Sequence, residues 1–114
     1  ISGESIKDGK TYTYTASMQP PEYRGGQKAW NSFIAATTRY PADALRNGIR
    51  GTVKTSFVVD KTGAIVDIAI EKSVDSSLDE EAKRVLRYSS RWEPGKQRGI
   101  PVRVKYNQSI NFAF

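Results

Sequence analysis

The fold of this chain is decided by the stretch Gly51-Thr52-Val53-Lys54-Thr55-Ser56-Phe57-Val58-Val59-Asp60. Apolar side chains recur there in period two, which is typical of a strand with one buried face. Asp60-Lys61-Thr62-Gly63 supplies a turn, and Val66, Ile68 and Ile70 are expected to share one face of a second strand. The pattern therefore predicts an antiparallel hairpin.

A long strand is predicted at the end of the chain. Apolar residues hold one phase from Val102 to Phe114, interrupted only by Gln108, and the opposite phase is nearly all polar. One face of this strand is therefore expected to pack against the core and the other to face solvent. At roughly 3.3 Å per residue this strand would be about 40 Å long, so we expect part of it to lack a partner within the domain. Such edges are either protected or used to bind another strand.

Three helices are predicted beside these strands. Trp30, Phe33 and Ile34 give the segment 27–38 one apolar face, and Pro41 begins a short second helix that Asn47-Gly48 ends. The third helix is expected to follow a capping box, Ser77-Leu78-Asp79-Glu80, with its acids placed to suit the helix dipole.

Two further local features complete the predicted fold. The segment Tyr12–Thr15 alternates like a short strand, and Trp92-Glu93-Pro94-Gly95 has the composition of a type II turn. The predicted class is α+β, with a mainly antiparallel three- to four-stranded sheet and helices packed on one face. We expect two parts, a leader with a short strand and a helix (residues 1–39) and a domain (residues 40–114).

Composition excludes most catalytic chemistry. The 114 residues include no cysteine and no histidine, which removes thiol nucleophiles, imidazole bases and nearly all transition-metal sites. We therefore predict no enzymatic activity, no catalytic residue, no metal site and no cofactor. The net charge of +6 keeps nucleic acid, acidic membrane surfaces and acidic partners open as binding targets. The basic start of the last strand is either a solvated face or a surface for an acidic partner, and a small nucleic-acid-binding module stays open as an alternative function. The chain also has no signal peptide and no membrane-spanning segment, so it is expected to be a piece of a longer protein.

Three motifs carry a resemblance to a known family. They are Tyr40-Pro41-Ala42-Asp43-Ala44, the hairpin strand Gly51–Asp60 with Gly63 in its turn, and Trp92-Glu93-Pro94-Gly95-Lys96. In order and spacing they resemble the TonB C-terminal domain family, over about Tyr40 to Phe114. The stretch Met18–Gly26 is similar to a leader that precedes the domain in some bacterial homologues.

The resemblance implies a partner-binding domain in the periplasm of a Gram-negative cell. It implies that an outer-membrane TonB-dependent transporter donates an extended box peptide as an added strand, and that a segment absent from this chain anchors the domain to the inner membrane and its motor proteins. The implied partner-binding residues are Thr38, Arg39, Tyr40, Val102, Arg103, Val104, Lys105, Tyr106, Asn107, Gln108, Ser109, Ile110 and Asn111.

Several points stay open at the level of sequence. Similar domains are appended to membrane-bound sensor or antirepressor metallopeptidases, which carry their chemistry elsewhere. No nucleic acid is expected as a partner, although the basic charge keeps that alternative. An exposed strand also makes a strand-swapped homodimer possible.

Overall fold

The computed structural model describes residues 11–13 and 18–114. In chain order the elements are β1 (Thr11–Thr13), α1 (Gly26–Thr37), α2 (Ala42–Arg46), β2 (Gly51–Val59), β3 (Ile65–Lys72), α3 (Ser76–Arg87), β4 (Gly95–Gln97) and β5 (Ile100–Phe112). The strands form one sheet in the order β1-β5-β2-β3, with β4 also paired to β5. The α+β class predicted from the sequence is confirmed.

β2 is the centre of the sheet. It pairs antiparallel with β3 on one side and with β5 on the other, where the register runs from Gly51 opposite Phe112 to Val59 opposite Val104. β1 pairs with β5 in the parallel sense, through Thr11–Thr13. The rest of the predicted Tyr12–Thr15 strand lies outside the described residues.

The helices cover one face of the sheet and enclose two connected cores. Leu78, Ala82 and Val85 of α3 pack with Val53 and Ile110 in one core. The second core is aromatic, and Trp30 of α1 lies in it with Phe57 and Trp92. The indole rings of Trp30 and Trp92 meet edge to face, with their centroids 4.8 Å apart. The leader helix and the sheet thus share the aromatic core.

The second strand of the hairpin departs from the predicted alternation. Val66 lies opposite Val58, on the face away from the two cores, whereas Ile65 and Ile70 lie opposite inward-facing residues of β2. The cause is a register shift within β3, where Asp67 has a φ of 52°. A bulge of this kind inserts one extra residue into the strand, so the side chains that follow it point to the opposite face from the one that simple alternation predicts. The expectation that Val66 shares a face with Ile68 and Ile70 was therefore wrong.

Two further local predictions were also wrong. The N-cap of α3 is Asp75, not Ser77, because the Asp75 carboxylate accepts from the Ser77 N–H at 3.0 Å and from its hydroxyl at 2.5 Å. Residues 92–95 are extended and not a type II turn, since Glu93 bridges to Glu22 and β4 begins at Gly95. A Cβ on Gly95 would lie 2.7 Å from the Val104 side chain, so glycine is needed there for close packing.

Candidate binding groove at the open sheet edge

β5 has one edge that is only partly paired. Its inner edge is paired with β2 from Val104 to Phe112. Its outer edge pairs with β1 at Arg103–Lys105, and within residues 11–13 and 18–114 no strand pairs with this edge from Tyr106 to Phe112. Among the described residues, the stretch of the last strand that lacks a partner is therefore the outer edge of its second half.

The direction of the backbone groups along β5 follows from one hydrogen bond. Thr55 lies directly opposite Gln108, and its hydroxyl donates to the Gln108 carbonyl at 2.8 Å, so that carbonyl faces β2. Successive residues of a strand direct their N–H and C=O groups to opposite edges. Asn107, Ser109 and Asn111 therefore present theirs to the outer edge.

A groove of about 480 Å³ runs beside this outer edge. One wall is the end of β5, and the other is the exposed side of α1 with the segment that follows it. The lining residues are Asn31, Ile34, Ala35, Thr38, Tyr40, Gln108, Ser109, Ile110, Asn111, Phe112 and Ala113. None of them is charged, and the stretch Gln108–Phe112 spans about 13 Å, which is the length of four or five residues of an extended peptide.

Two side-chain hydrogen bonds hold α1 along β5. The Tyr106 hydroxyl donates to Gln27 Oε1 at 3.2 Å, and the buried Trp30 indole N–H donates to Gln108 Oε1 at 2.8 Å. Since an indole nitrogen is only a donor, the Gln108 amide nitrogen must point the other way, and it donates to the Ser109 carbonyl at 2.7 Å. One carbonyl of the open edge is therefore occupied by a neighbouring side chain.

Of the predicted binding residues Thr38, Arg39 and Tyr40, two face the groove and one faces α3. Thr38 and Tyr40 line the groove, and the Tyr40 ring packs edge-on against Phe112 with centroids 5.8 Å apart. Arg39 does not line it. The backbone N–H of Arg39 donates to Glu81 on α3 at 2.6 Å.

Glu81 fixes the segment that carries Thr38 and Tyr40. Its carboxylate accepts two hydrogen bonds of 2.7 Å from Arg84, whose guanidinium also donates to the Thr37 carbonyl at 2.8 Å. Burial by itself would raise the pKa of Glu81. The hydrogen bonds from Arg84 and from the Arg39 backbone outweigh burial and lower that pKa.

The predicted residues at the start of β5 do not line the groove. Val102 and Val104 are buried with Met18 in a third apolar cluster. Tyr106 lines a separate pocket of about 200 Å³ with Tyr23, Trp30 and other residues, and its burial raises the pKa of its hydroxyl. Of the predicted β5 residues, Gln108–Asn111 line the groove.

The basic residues of β5 are paired across the solvent face of the sheet. Arg103 meets Asp67 at 3.0 Å, and Lys105 meets Glu71 at 3.6 Å. A hydrogen bond from the Ser56 hydroxyl, followed by the charge of Lys105, lowers the pKa of Glu71. Because both positive charges have an acid of the same sheet beside them, they can contribute less to the attraction of an acidic peptide than the sequence suggested.

The acidic residues at the start of α3 form hydrogen bonds and an ion pair within the fold. Asp79 accepts from Ser73 and from the Val74 N–H, and Glu80 pairs with Lys83 at 2.9 Å. Within the described part of the chain there is no group of three or more acids that could hold a metal ion. In the same residues no helix has the length and hydropathy of a membrane span.

Sequence reasoning missed the part of the groove that α1 supplies. Asn31, Ile34 and Ala35 were not among the predicted site residues, and neither were Phe112 and Ala113. Helical spacing does place Asn31 and Ala35 on one side of the helix predicted over 27–38. Nothing in the local pattern shows that this side lies along the open edge.

The fold and the groove define a small α+β domain in which the partly paired edge of β5 lies beside a helix, and comparisons with known proteins identify the family. The sequence profile of the "Gram-negative bacterial TonB protein C-terminal" family matches residues 36–114. The chain is similar to the TonB C-terminal domain of Pseudomonas aeruginosa, with 31% identity and a TM-score of 0.54 over 68% of this chain and 78% of the other. It is also similar to a Helicobacter pylori TonB C-terminal domain, with 25% identity and a TM-score of 0.55 over 74% and 76%. No curated protein matches it.

The chain therefore belongs to the TonB C-terminal domain family, and the predicted resemblance is confirmed. Domains of this family are non-enzymatic, are associated with transport and interact with outer-membrane transporters. The matched residues include only the last two residues of α1, so most of the helical wall of the groove lies before them.

Proposed function

We propose that this chain is the periplasmic partner-binding domain of a TonB-type energy transducer. It binds the box peptide of an outer-membrane transporter as an added strand on the outer edge of β5 and so supports active transport, with its anchor and motor contacts in a segment outside this chain. The observation that carries the proposal is the outer edge of β5 from Tyr106 to Phe112, with which no strand of residues 11–13 and 18–114 pairs and which lies beside an uncharged groove in a chain of this family.

The peptide would bind to the backbone groups of three residues. Asn107 and Asn111 each offer an N–H and a C=O to the outer edge, and Ser109 offers its N–H, since its carbonyl already accepts from the Gln108 side chain. These groups give about four or five hydrogen bonds. At a net of about 1 kcal/mol each they contribute roughly 4–5 kcal/mol, which corresponds to a Kd between about 1 mM and about 0.2 mM. Side chains that line the groove must supply any tighter binding.

Proline at position 109 tests the proposal. Ser109 is exposed and its N–H does not face β2, so Ser109→Pro removes an edge donor while the pairing with β2 is retained. The matched control Ser109→Ala removes the same hydroxyl and keeps the N–H. We expect peptides with the box sequences of outer-membrane transporters to bind wild type and the alanine variant alike, and the proline variant at least about tenfold more weakly.

Heteronuclear NMR supplies both readouts for this test. Spectra of each variant show whether the fold is kept, and peptide titrations give the affinity and the position of the shifted amides. Shifts that cluster on α3 or β3, or a folded proline variant that binds as wild type does, would refute the proposed site.

β1 occupies the part of the outer edge that adjoins the groove. It pairs with Arg103–Lys105, which are among the residues predicted to receive the peptide. We propose that it limits the peptide to the second half of β5. Deletion of residues 1–17 should then extend the shifted region to Arg103–Lys105 and strengthen binding, whereas an unchanged pattern would mean that β1 does not compete.

The basic residues of β5 are expected to have a small effect. Because Arg103 and Lys105 are paired with Asp67 and Glu71, the double change Arg103→Ala with Lys105→Ala should weaken peptide binding only modestly and flatten its salt dependence. A loss of more than about tenfold at physiological salt would show that these charges contact the peptide directly.

A further inference from the structure

The exposed side of α1 carries a chain of hydrogen bonds that ends at the groove. The Tyr106 hydroxyl donates to Gln27 Oε1 at 3.2 Å, and Gln27 Nε2 donates to Asn31 Oδ1 at 2.9 Å. The oxygen of the Asn31 amide is thus occupied. No group among the residues described accepts a hydrogen bond from Asn31 Nδ2, and Asn31 lines the groove.

The position of Asn31 fits contact with a bound strand. α1 runs along β5 in the same direction, since Gln27 lies against Tyr106 and Trp30 against Gln108. Along a strand added at the outer edge of β5, alternate side chains would face α1. One turn after Asn31 the wall is formed by the short side chain of Ala35, which leaves space for them.

The chemistry of this wall favours a side chain with an oxygen acceptor. Asn31 offers two N–H donors, and none of the residues that line the groove is an acid that would repel a carboxylate. Helical spacing puts Lys28 one turn before Asn31 on the same side of α1, so the nearest charge on this side of the helix is positive.

We propose that Asn31 is a specificity-determining residue of the groove. Its amide N–H groups donate to a carboxylate or amide oxygen on the side chain of the bound strand that faces α1. This inference rests on the proposed strand addition at β5, and it adds that a helix outside most of the matched family residues selects the peptide.

Four synthetic peptides test the selection. They share the sequence acetyl-Ser-Thr-Val-Xaa-Val-Thr-Ser-amide, with Asp, Asn, Leu or Lys at Xaa. We expect wild type to bind the Asp and Asn peptides about three- to tenfold more tightly than the Leu peptide, which is the range for one or two hydrogen bonds. Because the Asn peptide is uncharged at Xaa, tighter binding of the Asn peptide than of the Leu peptide would come from hydrogen bonding to Asn31 and not from charge attraction to Lys28.

The isosteric variant Asn31→Asp replaces the donors by acceptors. It should lose the preference for Asp and bind the Lys peptide best, while Lys28→Gln should keep the preference for Asn over Leu. In NMR titrations with the Asp and Asn peptides, the side-chain NH₂ signals of Asn31 should shift together with the backbone amides of Ser109 and Asn111.

The outcomes separate this inference from the proposed function. If the β5 amides shift but wild type binds all four peptides equally, or if Asn31→Asp keeps the order of wild type, the role of Asn31 is refuted and strand addition stands. If none of the four peptides shifts the β5 amides, strand addition fails for this class of peptide, and the role of Asn31 fails with it.

Discussion

Gly63 in the turn of the β2–β3 hairpin is the glycine whose substitution should damage the fold most clearly. Its φ is +87°, and an added Cβ would lie 1.8 Å from the carbonyl oxygen of Trp92 and 2.9 Å from the carbonyl carbon. The Trp92 N–H also donates to the Gly63 carbonyl at 2.7 Å. Gly63→Ala must therefore push apart two backbone segments that are hydrogen-bonded to each other.

The expected loss can be built from three contributions. The left-handed conformation of a residue with a Cβ costs about 1–2 kcal/mol, displacement of packed atoms about 1–3 kcal/mol, and loss of the hydrogen bond about 0.5–1.5 kcal/mol. Together these give roughly 3–6 kcal/mol, a large part of the 5–15 kcal/mol that is typical of a domain.

Gly48 provides the matched control. It also has a positive φ, +66°, but an added Cβ would meet no atom within 4 Å. Gly48→Ala should thus show the conformational cost alone, about 1–2 kcal/mol. The entropic effect of Gly→Ala on the unfolded chain is the same in both variants and cancels in the comparison.

Urea unfolding followed by tryptophan fluorescence measures the difference. We expect Gly63→Ala to be at least about 1.5 kcal/mol less stable than Gly48→Ala, which lowers the midpoint by at least about 0.5–1.5 M more at urea slopes of about 1–3 kcal/mol/M. If the Gly63→Ala variant does not fold while the Gly48→Ala variant does, this prediction is also confirmed. Free energies of unfolding within about 0.5 kcal/mol of each other would refute the close contact between Gly63 and Trp92.

Further predictions concern the core, the cap of α3 and the response to acid. Trp92→Ala and Leu86→Ala each remove a buried side chain and should cost roughly 2–5 kcal/mol in urea melts; a loss below about 1 kcal/mol for both would contradict the packing of α3 and the aromatic core. Asp75→Ala should lower the thermal midpoint more than Ser77→Ala does, because the Asp75 carboxylate accepts the capping hydrogen bonds of α3. A larger effect of Ser77→Ala would instead support Ser77 as the N-cap, as the capping box predicted. The pKa of Glu81 is lowered in the folded state, so its contribution to stability is present above the unfolded value of about 4.3 and is lost as the pH falls through the folded pKa. Glu81→Gln should therefore be less stable at pH 7 and lose less stability in urea melts between pH 5 and pH 2, and a parallel loss in both proteins would contradict the lowered pKa.

The hairpin and the last strand were predictable because their signal is local. From Val102 to Phe112 the alternation of side chains matches the observed faces. In β2 the predicted inward residues Val53 to Val59 are buried, but Ser56 and Val58 on the opposite face are buried as well. The third helix was predictable for the same reason, since Leu78, Ala82, Val85 and Leu86 recur at helical spacing and all are buried. Its first residue was not, because Asp75 and Ser77 are both good caps and the path of the preceding loop selects between them.

The candidate site was predictable only in part. The sequence indicated a β5 edge with a missing partner, and the groove includes Gln108–Asn111 together with Thr38 and Tyr40. It did not indicate Asn31 and Ala35, because the polar side of a helix has the same pattern whether it faces solvent or a groove. It also left Arg103 and Lys105 as free charges, whereas Asp67 and Glu71 lie beside them across the sheet.

The sequence by itself determined the chemistry and the elements of this protein. Without cysteine or histidine it excludes most catalytic and metal sites, and its periodicities specify the three helices, the hairpin and the last strand, since these patterns depend on neighbours a few residues apart. Only the tertiary structure decided which part of the β5 edge has no partner strand among the described residues, that α1 lies along it, and that the bulge at Asp67 reverses the face of Val66. These features depend on contacts such as Trp30 with Gln108 and Thr55 with Gln108, between residues that are 78 and 53 positions apart in the chain, and no local pattern encodes such pairings.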